Sequence, residues 1–74
     1  MHIHIVLDNH GDTRHTFNPR DARALSTAEA RFRELTGSGF RAVVPGKKGQ
    51  PGRLMRDFDA SVKETLFIPQ LQGG

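Results

Sequence analysis

Seventy-four residues hold one domain and one core, so no cofactor domain can sit beside a substrate domain. That argues against a self-contained enzyme. The chain has no Cys, which excludes a disulfide framework, a zinc knuckle and a thiol nucleophile together, and fits a reducing cytoplasmic setting. The net charge of +3 comes from arginines interleaved with acids rather than clustered, and Phe is the only aromatic available for stacking, so a nucleic-acid partner is not expected.

In chain order, His2-Ile3-His4-Ile5-Val6-Leu7 alternates. With Ile3, Ile5 and Leu7 inward, it reads as a half-buried strand whose His2 and His4 face solvent. Asn9-His10-Gly11-Asp12 supplies residues that tolerate positive φ in a tight hairpin, and Thr13 to Phe17 returns as a second strand. If Phe17 points inward with Ile3 and Ile5, His15 does too, away from His2 and His4. The i, i+2 pair His2 and His4 then lacks partners for a metal site.

Two helix starts compete. Asn18-Pro19-Arg20-Asp21 offers Asn18 as a cap, Pro19 for the first helical position and Asp21 at the positive end of the dipole, and Ser26-Thr27-Ala28-Glu29 is a capping box. Leu25, Ala28, Phe32 and Leu35 recur at helical spacing on one face. Gly37 is the expected left-handed terminator. Phe40 to Val44 reads as a strand, and residues 45–52 as a Gly/Pro loop that lacks the spacing of a phosphate loop. Arg53 to Phe58 reads as a short strand, residues 59–61 as a turn, and Thr65 to Ile68 as the last strand before Pro69 and a polar end. Leu66 and Ile68 are read as core-facing. Phe67 then lies on the open face, where it and Phe40 or Val44 form an apolar docking patch with Arg41 and Arg53 as rim. No run is apolar enough to span a bilayer, and Met1-His2-Ile3-His4 reads as neither signal nor transit peptide.

The fold class expected is α+β, with a mixed sheet and one helix on one face. Strand, strand, helix, strand, short strand, strand is the ββαββ order, and in it the chain resembles β-grasp domains of the ubiquitin-like class. The end Glu64-Thr65-Leu66-Phe67-Ile68-Pro69-Gln70-Leu71-Gln72-Gly73-Gly74 resembles the ubiquitin ending. The span from Arg31 to Phe40, with Glu34-Leu35-Thr36-Gly37 at its centre, is similar to small bacterial ubiquitin-like modifiers encoded beside E1-like, E2-like and JAB-type peptidase genes. The resemblance implies a β-grasp domain over residues 1–69 and a flexible diglycine tail over 70–74. It departs from ubiquitin in a tail about one residue shorter, with Gln70 and Gln72 where ubiquitin has arginines. An activating enzyme that reads basic tail residues is not expected to accept it.

The resemblance implies a cytoplasmic protein modifier, not an enzyme, in a bacterial conjugation pathway tied to phage defence. The Gly74 carboxylate would attack the α-phosphate of ATP, with ATP and Mg²⁺ held by an E1-like activating enzyme and no cofactor on this chain. Gly73 and Gly74 leave the carbonyl open to approach. Leu71, Gln72, Gln70, Phe67, Phe40 and Arg41 would meet the E1-like and E2-like enzymes. Lys47, Lys48 and Lys63 are candidate acceptors if chains form. A JAB-type peptidase and the target proteins complete the partners, with no membrane. Two alternatives stay open: a sulfur carrier that forms a thiocarboxylate at Gly74, and a binding module with an incidental tail.

Overall fold

A computed structural model describes residues 1–70. The elements in order are β1 (His2–Asp8), β2 (Gly11–Phe17), α1 (Ala22–Gly37), β3 (Phe40–Val44), β4 (Arg53–Met55) and β5 (Glu64–Pro69). The domain is α+β: a five-stranded mixed sheet in the order β2-β1-β5-β3-β4, with α1 packed on one face. β1 runs parallel to β5, and every other neighbouring pair is antiparallel.

The hairpin closes with Asp8 opposite Gly11, and Asp8 Oδ1 accepts the N–H of His10 at 2.7 Å. Gly11 alone takes positive φ there (115°); Asn9 and His10 do not. The left-handed step therefore falls on the one residue without a Cβ.

The helix starts near the first of the two candidate places, but Asp21 rather than Asn18 is the cap and Pro19 lies before the helix. Asp21 is the N-cap, its Oδ1 accepting from Arg23 N at 3.0 Å and Ala24 N at 3.2 Å. That satisfies two of the donors a helix leaves unpaired at its start. Asn18 Oδ1 accepts from Arg20 N and shapes the approach. The far end differs from the reading above. Gly37 stays inside α1, Ser38 is the C-cap, and the left-handed residue is Gly39 at φ 96°. Ser38 donates its N–H to Leu35 O, which carries the backbone past Gly37 before it turns.

The core lies between α1 and the sheet. Val6, Phe32, Ala42, Met55 and Phe67 are buried in one cluster, with Leu35, Phe40, Val44, Phe58 and Val62 packed against it. Ala28 and Phe32 bury the helix stripe, as its spacing implies. Arg53 to Phe58 is extended only as far as Met55, because Phe58 leaves the sheet to lie over the core, edge to face with Phe32 at 5.9 Å between centroids.

The register places β1 and β5 one step from the reading above. Val6 pairs with Phe67, Phe67 with Ala42, and Ala42 with Met55. Directly opposed residues share a face, so this row is the helix-facing one. His2, His4, Phe17, Thr65 and Phe67 face the helix, and Ile3, Ile5, Leu7, Leu66 and Ile68 face away. A one-residue slip exchanges the whole set, and the aromatic pocket decides it. His4 is only 2% exposed and meets Phe17 and Phe67 edge to face, both at 5.0 Å. It is a core residue, not a solvated one. His15 shares its face and stands directly opposite it. Phe67 is fully buried and cannot belong to a docking patch.

Candidate docking face and tail root

Three apolar cross-strand pairs run in a row across the face turned away from α1. Ile5 of β1 lies opposite Leu66 of β5, Leu66 opposite Val43 of β3, and Val43 opposite Leu54 of β4. These side chains form an apolar row across four strands, and Arg14 of β2 continues it opposite Ile5. Exposure grows along the row, from 8% at Ile5 to 49% at Leu54, with Leu66 and Val43 half-buried between. One step toward the end of β5, Ile68 is 38% exposed and stands opposite exposed Arg41. A contiguous apolar surface with a charged rim is the usual form of a protein-docking face.

The row meets the exit of the chain at a shallow groove lined by Arg41, Val43, Ile68, Pro69 and Gln70. Pro69 cannot donate to the ladder. Gln70 does so instead, giving its N–H to Gly39 O at 2.7 Å. The ordered pairing of β5 with the β3 side therefore reaches one residue into the segment assigned above to the tail. Gly39, held left-handed, presents that carbonyl at the root of the tail.

Of the residues singled out from sequence, Arg41 and Gln70 come together at this groove. Phe67 and Phe40 do not join them. Phe67 is in the core, and Phe40 is half-buried on the helix side against it. Their place on the outer face is taken by Ile68, Leu54, Val43 and Leu66, which the sequence reading had put in the core or left unassigned. Strand parity was the only signal that could have found them, and it was read one step out. Arg53 stands opposite Val44 and shares its helix-side face, whereas Arg41 stands opposite Ile68 on the outer face, so the two arginines do not form one rim.

Lys47 and Lys48 are exposed in the 45–52 loop, where Gln50 N–H bonds Lys47 O at 2.8 Å and Gly49 takes φ 80°. That is a tight turn with a glycine at its third position. Lys63 is exposed just before β5, and its carbonyl accepts the N–H of Ile3 at 2.8 Å. Leu71, Gln72, Gly73 and Gly74, the segment expected from sequence to carry the acyl donor, lie outside the described residues.

Electrostatics on the outer face are simple. Arg14 Nε bonds Asp12 Oδ2 at 3.2 Å, an exposed pair worth well under about 1 kcal/mol. Among the described residues, no three His, Cys, Asp or Glu side chains come together to hold a metal ion, and no helix is long and apolar enough to cross a membrane. Neither family models, nor curated proteins, nor solved structures match this chain.

Proposed function

We propose that the chain is a β-grasp, ubiquitin-like protein modifier, activated at the Gly74 carboxylate and passed to target proteins. The observation that carries the reading is the path of the chain. An α+β sheet with parallel β1–β5 pairing ends at Pro69–Gln70, beside an apolar outer face, and Leu71-Gln72-Gly73-Gly74 follows at once. Four residues reach at most about 14 Å. An activating enzyme that draws Gly74 into its centre must therefore press against the groove at Arg41, Ile68 and Gln70.

The chemistry needs Gly74 as a free terminus, encoded or exposed by cleavage. A carboxylate oxygen of Gly74 attacks the α-phosphorus of ATP and pyrophosphate leaves, with Mg²⁺ of the E1-like enzyme balancing the phosphate charge. A nucleophile on the E1-like or E2-like enzyme then attacks the Gly74 carbonyl and AMP leaves. This chain supplies the carbonyl and the docking face. The partner enzymes supply the acid–base groups and oxyanion donors.

The test is activation in vitro with the cognate E1-like enzyme, ATP and Mg²⁺, followed by intact-mass analysis. Formation of an adenylate and then higher-mass protein adducts, both lost when residues 73–74 are removed, supports the proposal. A free species heavier by the oxygen-to-sulfur difference would replace it with the sulfur-carrier reading. Absence of any product at Gly74 would end both.

A further inference from the structure

The first two residues of β3 have a strand neighbour on one side only. β5 pairs with them, Pro69 opposite Phe40 and Ile68 opposite Arg41. On the other side the pairing with β4 begins at Ala42, opposite Met55. β4 ends at Met55 and the chain bends at Arg56, which leaves a notch in the sheet beside Phe40 and Arg41. A cleft opens there, with Phe40, Arg41, Leu54, Arg56 and Gln70 in its lining.

The rim of this cleft is basic. One step past Ala42–Met55 in the same register, Arg41 comes opposite Arg56. Like charges at facing positions repel. Both arginines are exposed, and neither joins an ion pair among the described residues, whereas Arg14 bonds Asp12 and Arg33 bonds Glu29. Asp57, next to Arg56, lines the neighbouring clefts and not this one. The floor is apolar, with half-buried Phe40 on one side and Leu54, 49% exposed, on the other.

The length of chain beyond Gln70 matches the span. Leu71-Gln72-Gly73-Gly74 follows Gln70, which itself lines the cleft. β5 and β4 are the two neighbours of β3, so two strand spacings of about 4.8 Å, roughly 10 Å in all, separate the tail root from the line of Arg56. Four extended residues reach at most about 14 Å, enough to cross β3 and little more. The order of groups along those four residues fits as well. Leu71 is apolar and comes first, Gly73 and Gly74 can pass close over the main chain of Arg41, and a free Gly74 ends in a carboxylate.

We infer that the chain's own end is the occupant: residues 71–74 cross the start of β3, Leu71 lies against Phe40, and the Gly74 carboxylate rests between Arg41 and Arg56. The contact is autoinhibitory. It relieves the repulsion between two guanidiniums through charge-assisted bonds, and it holds the carboxylate away from an activating enzyme until that enzyme displaces it. The inference rests on the modifier reading, in which Gly74 is a free terminus.

The test is an NMR titration of the chain ending at Gly74, with ¹³C at the Gly74 carboxyl, beside the same chain carrying Arg56→Gln. Arg56 is exposed, and the change leaves the core intact. Support consists of a Gly74 carboxyl pKa at least about 0.5 unit lower in the unmodified chain, since nearby cations favour the charged form. It also requires cross-relaxation between the Leu71 methyls and the Phe40 ring. Arg56→Lys should keep part of the shift. With the activating enzyme present, Arg56→Gln should lower KM about threefold or more, because the docked state no longer competes. Identical carboxyl titrations in the two chains overturn the inference, as does an unchanged KM. Leu71–Phe40 contacts that vanish on dilution place the tail on a second copy and also overturn it. The titration needs no enzyme, so the two readings fail separately. A chain adenylated at Gly74 with an unshifted carboxyl overturns the docked tail alone, and a shifted carboxyl on a chain that is never activated supports the contact and ends the modifier reading.

Discussion

The ring of His4 meets that of Phe67 edge to face, with centroids 5.0 Å apart, in the middle of the core. An imidazole can take this place only while neutral, since the charged form would sit among Phe17, Phe58 and Phe67 with the Arg31 guanidinium 3.5 Å from its Nδ1.

Acid should therefore unfold the domain through His4. Burial, then Arg31 and His15, lowers its pKa from 6.5 to about 4. A pKa lowered in the folded state means the unfolded chain binds the proton first. Stability is full above the unfolded value near 6.5, falls as pH drops, and levels off below the folded value near 4. A shift of this size corresponds to about 3 kcal/mol over the window. Denaturant melts from pH 7 to 4 should show the loss, and His4→Phe should flatten most of it. A pH-independent midpoint in the unmodified chain would refute this.

Phe67 and Ile68 are adjacent in sequence and opposite in role. Phe67→Ala should cost about 3–5 kcal/mol, since a fully buried ring leaves a cavity under α1. Ile68→Ala, on an outer-face side chain 38% exposed, should cost under about 1 kcal/mol. Chemical denaturation of the pair measures the difference. Equal losses would mean the β5 register is wrong.

These two residues also mark where the sequence stops being readable. Element order was legible because Gly and Pro separate the runs and Leu25, Ala28, Phe32 and Leu35 recur at helical spacing. Strand parity was not. Leu66-Phe67-Ile68 is apolar at every step, so alternation carries no information there. In β1 both parities hold large apolar groups, and treating His4 as polar chose the wrong one. What decides it is tertiary: Phe17, Phe58 and Phe67 converge on one side of the sheet and accept an uncharged imidazole as a fourth aromatic ring. The docking face carries the same error in part: Arg41 does lie on it, but Phe67 and Phe40 face the helix, and Ile68, Val43 and Leu54 hold the outer positions. The helix end was undetermined for a simpler reason, since Gly37 and Gly39 both satisfy the rule and only Gly39 is used.

The capping role of Asp21 is separable from packing, because its side chain is exposed and serves only the N–H groups of Arg23 and Ala24. Asp21→Ala should lower stability by about 1 kcal/mol, and Asp21→Asn should restore most of it. Thermal melts of the two variants check this. An unchanged melt in Asp21→Ala would move the helix start to Ser26.

Glycines in the 45–52 loop should divide sharply from Gly37. A Cβ on Gly46 would overlap Gln50 O and the Pro51 backbone, and one on Gly52 would lie 2.9 Å from Val44 O. Gly46→Ala should therefore distort the loop and its link to β3 and β4. Gly37 has open space around its Cβ position and helical backbone, so Gly37→Ala should stabilise by roughly 0.4–1 kcal/mol. Amide exchange of Val43 and Val44, with melts of both variants, separates the cases.

The modifier proposal makes its own demand on the outer face. A strap of four residues beyond Gln70 cannot carry Gly74 far from the groove at Arg41 and Ile68, so the activating enzyme must touch that groove while it holds the carboxylate. Ile68→Asp breaks no ladder bond and places its carboxylate opposite exposed Arg41, because the side chain is partly exposed and faces away from the core. It should leave the melt within about 1 kcal/mol of the unmodified chain. It should also weaken docking by placing a charge against an apolar contact, and raise the KM for activation at least tenfold with a smaller change in kcat. Arg33→Ala, exposed on α1 and therefore on the other side of the sheet, should leave both constants near their starting values. Activation kinetics with the cognate enzyme measure this directly. Ile68→Asp activated as well as the unmodified chain would detach the groove from the tail chemistry, even if Gly74 proved to be the acyl donor.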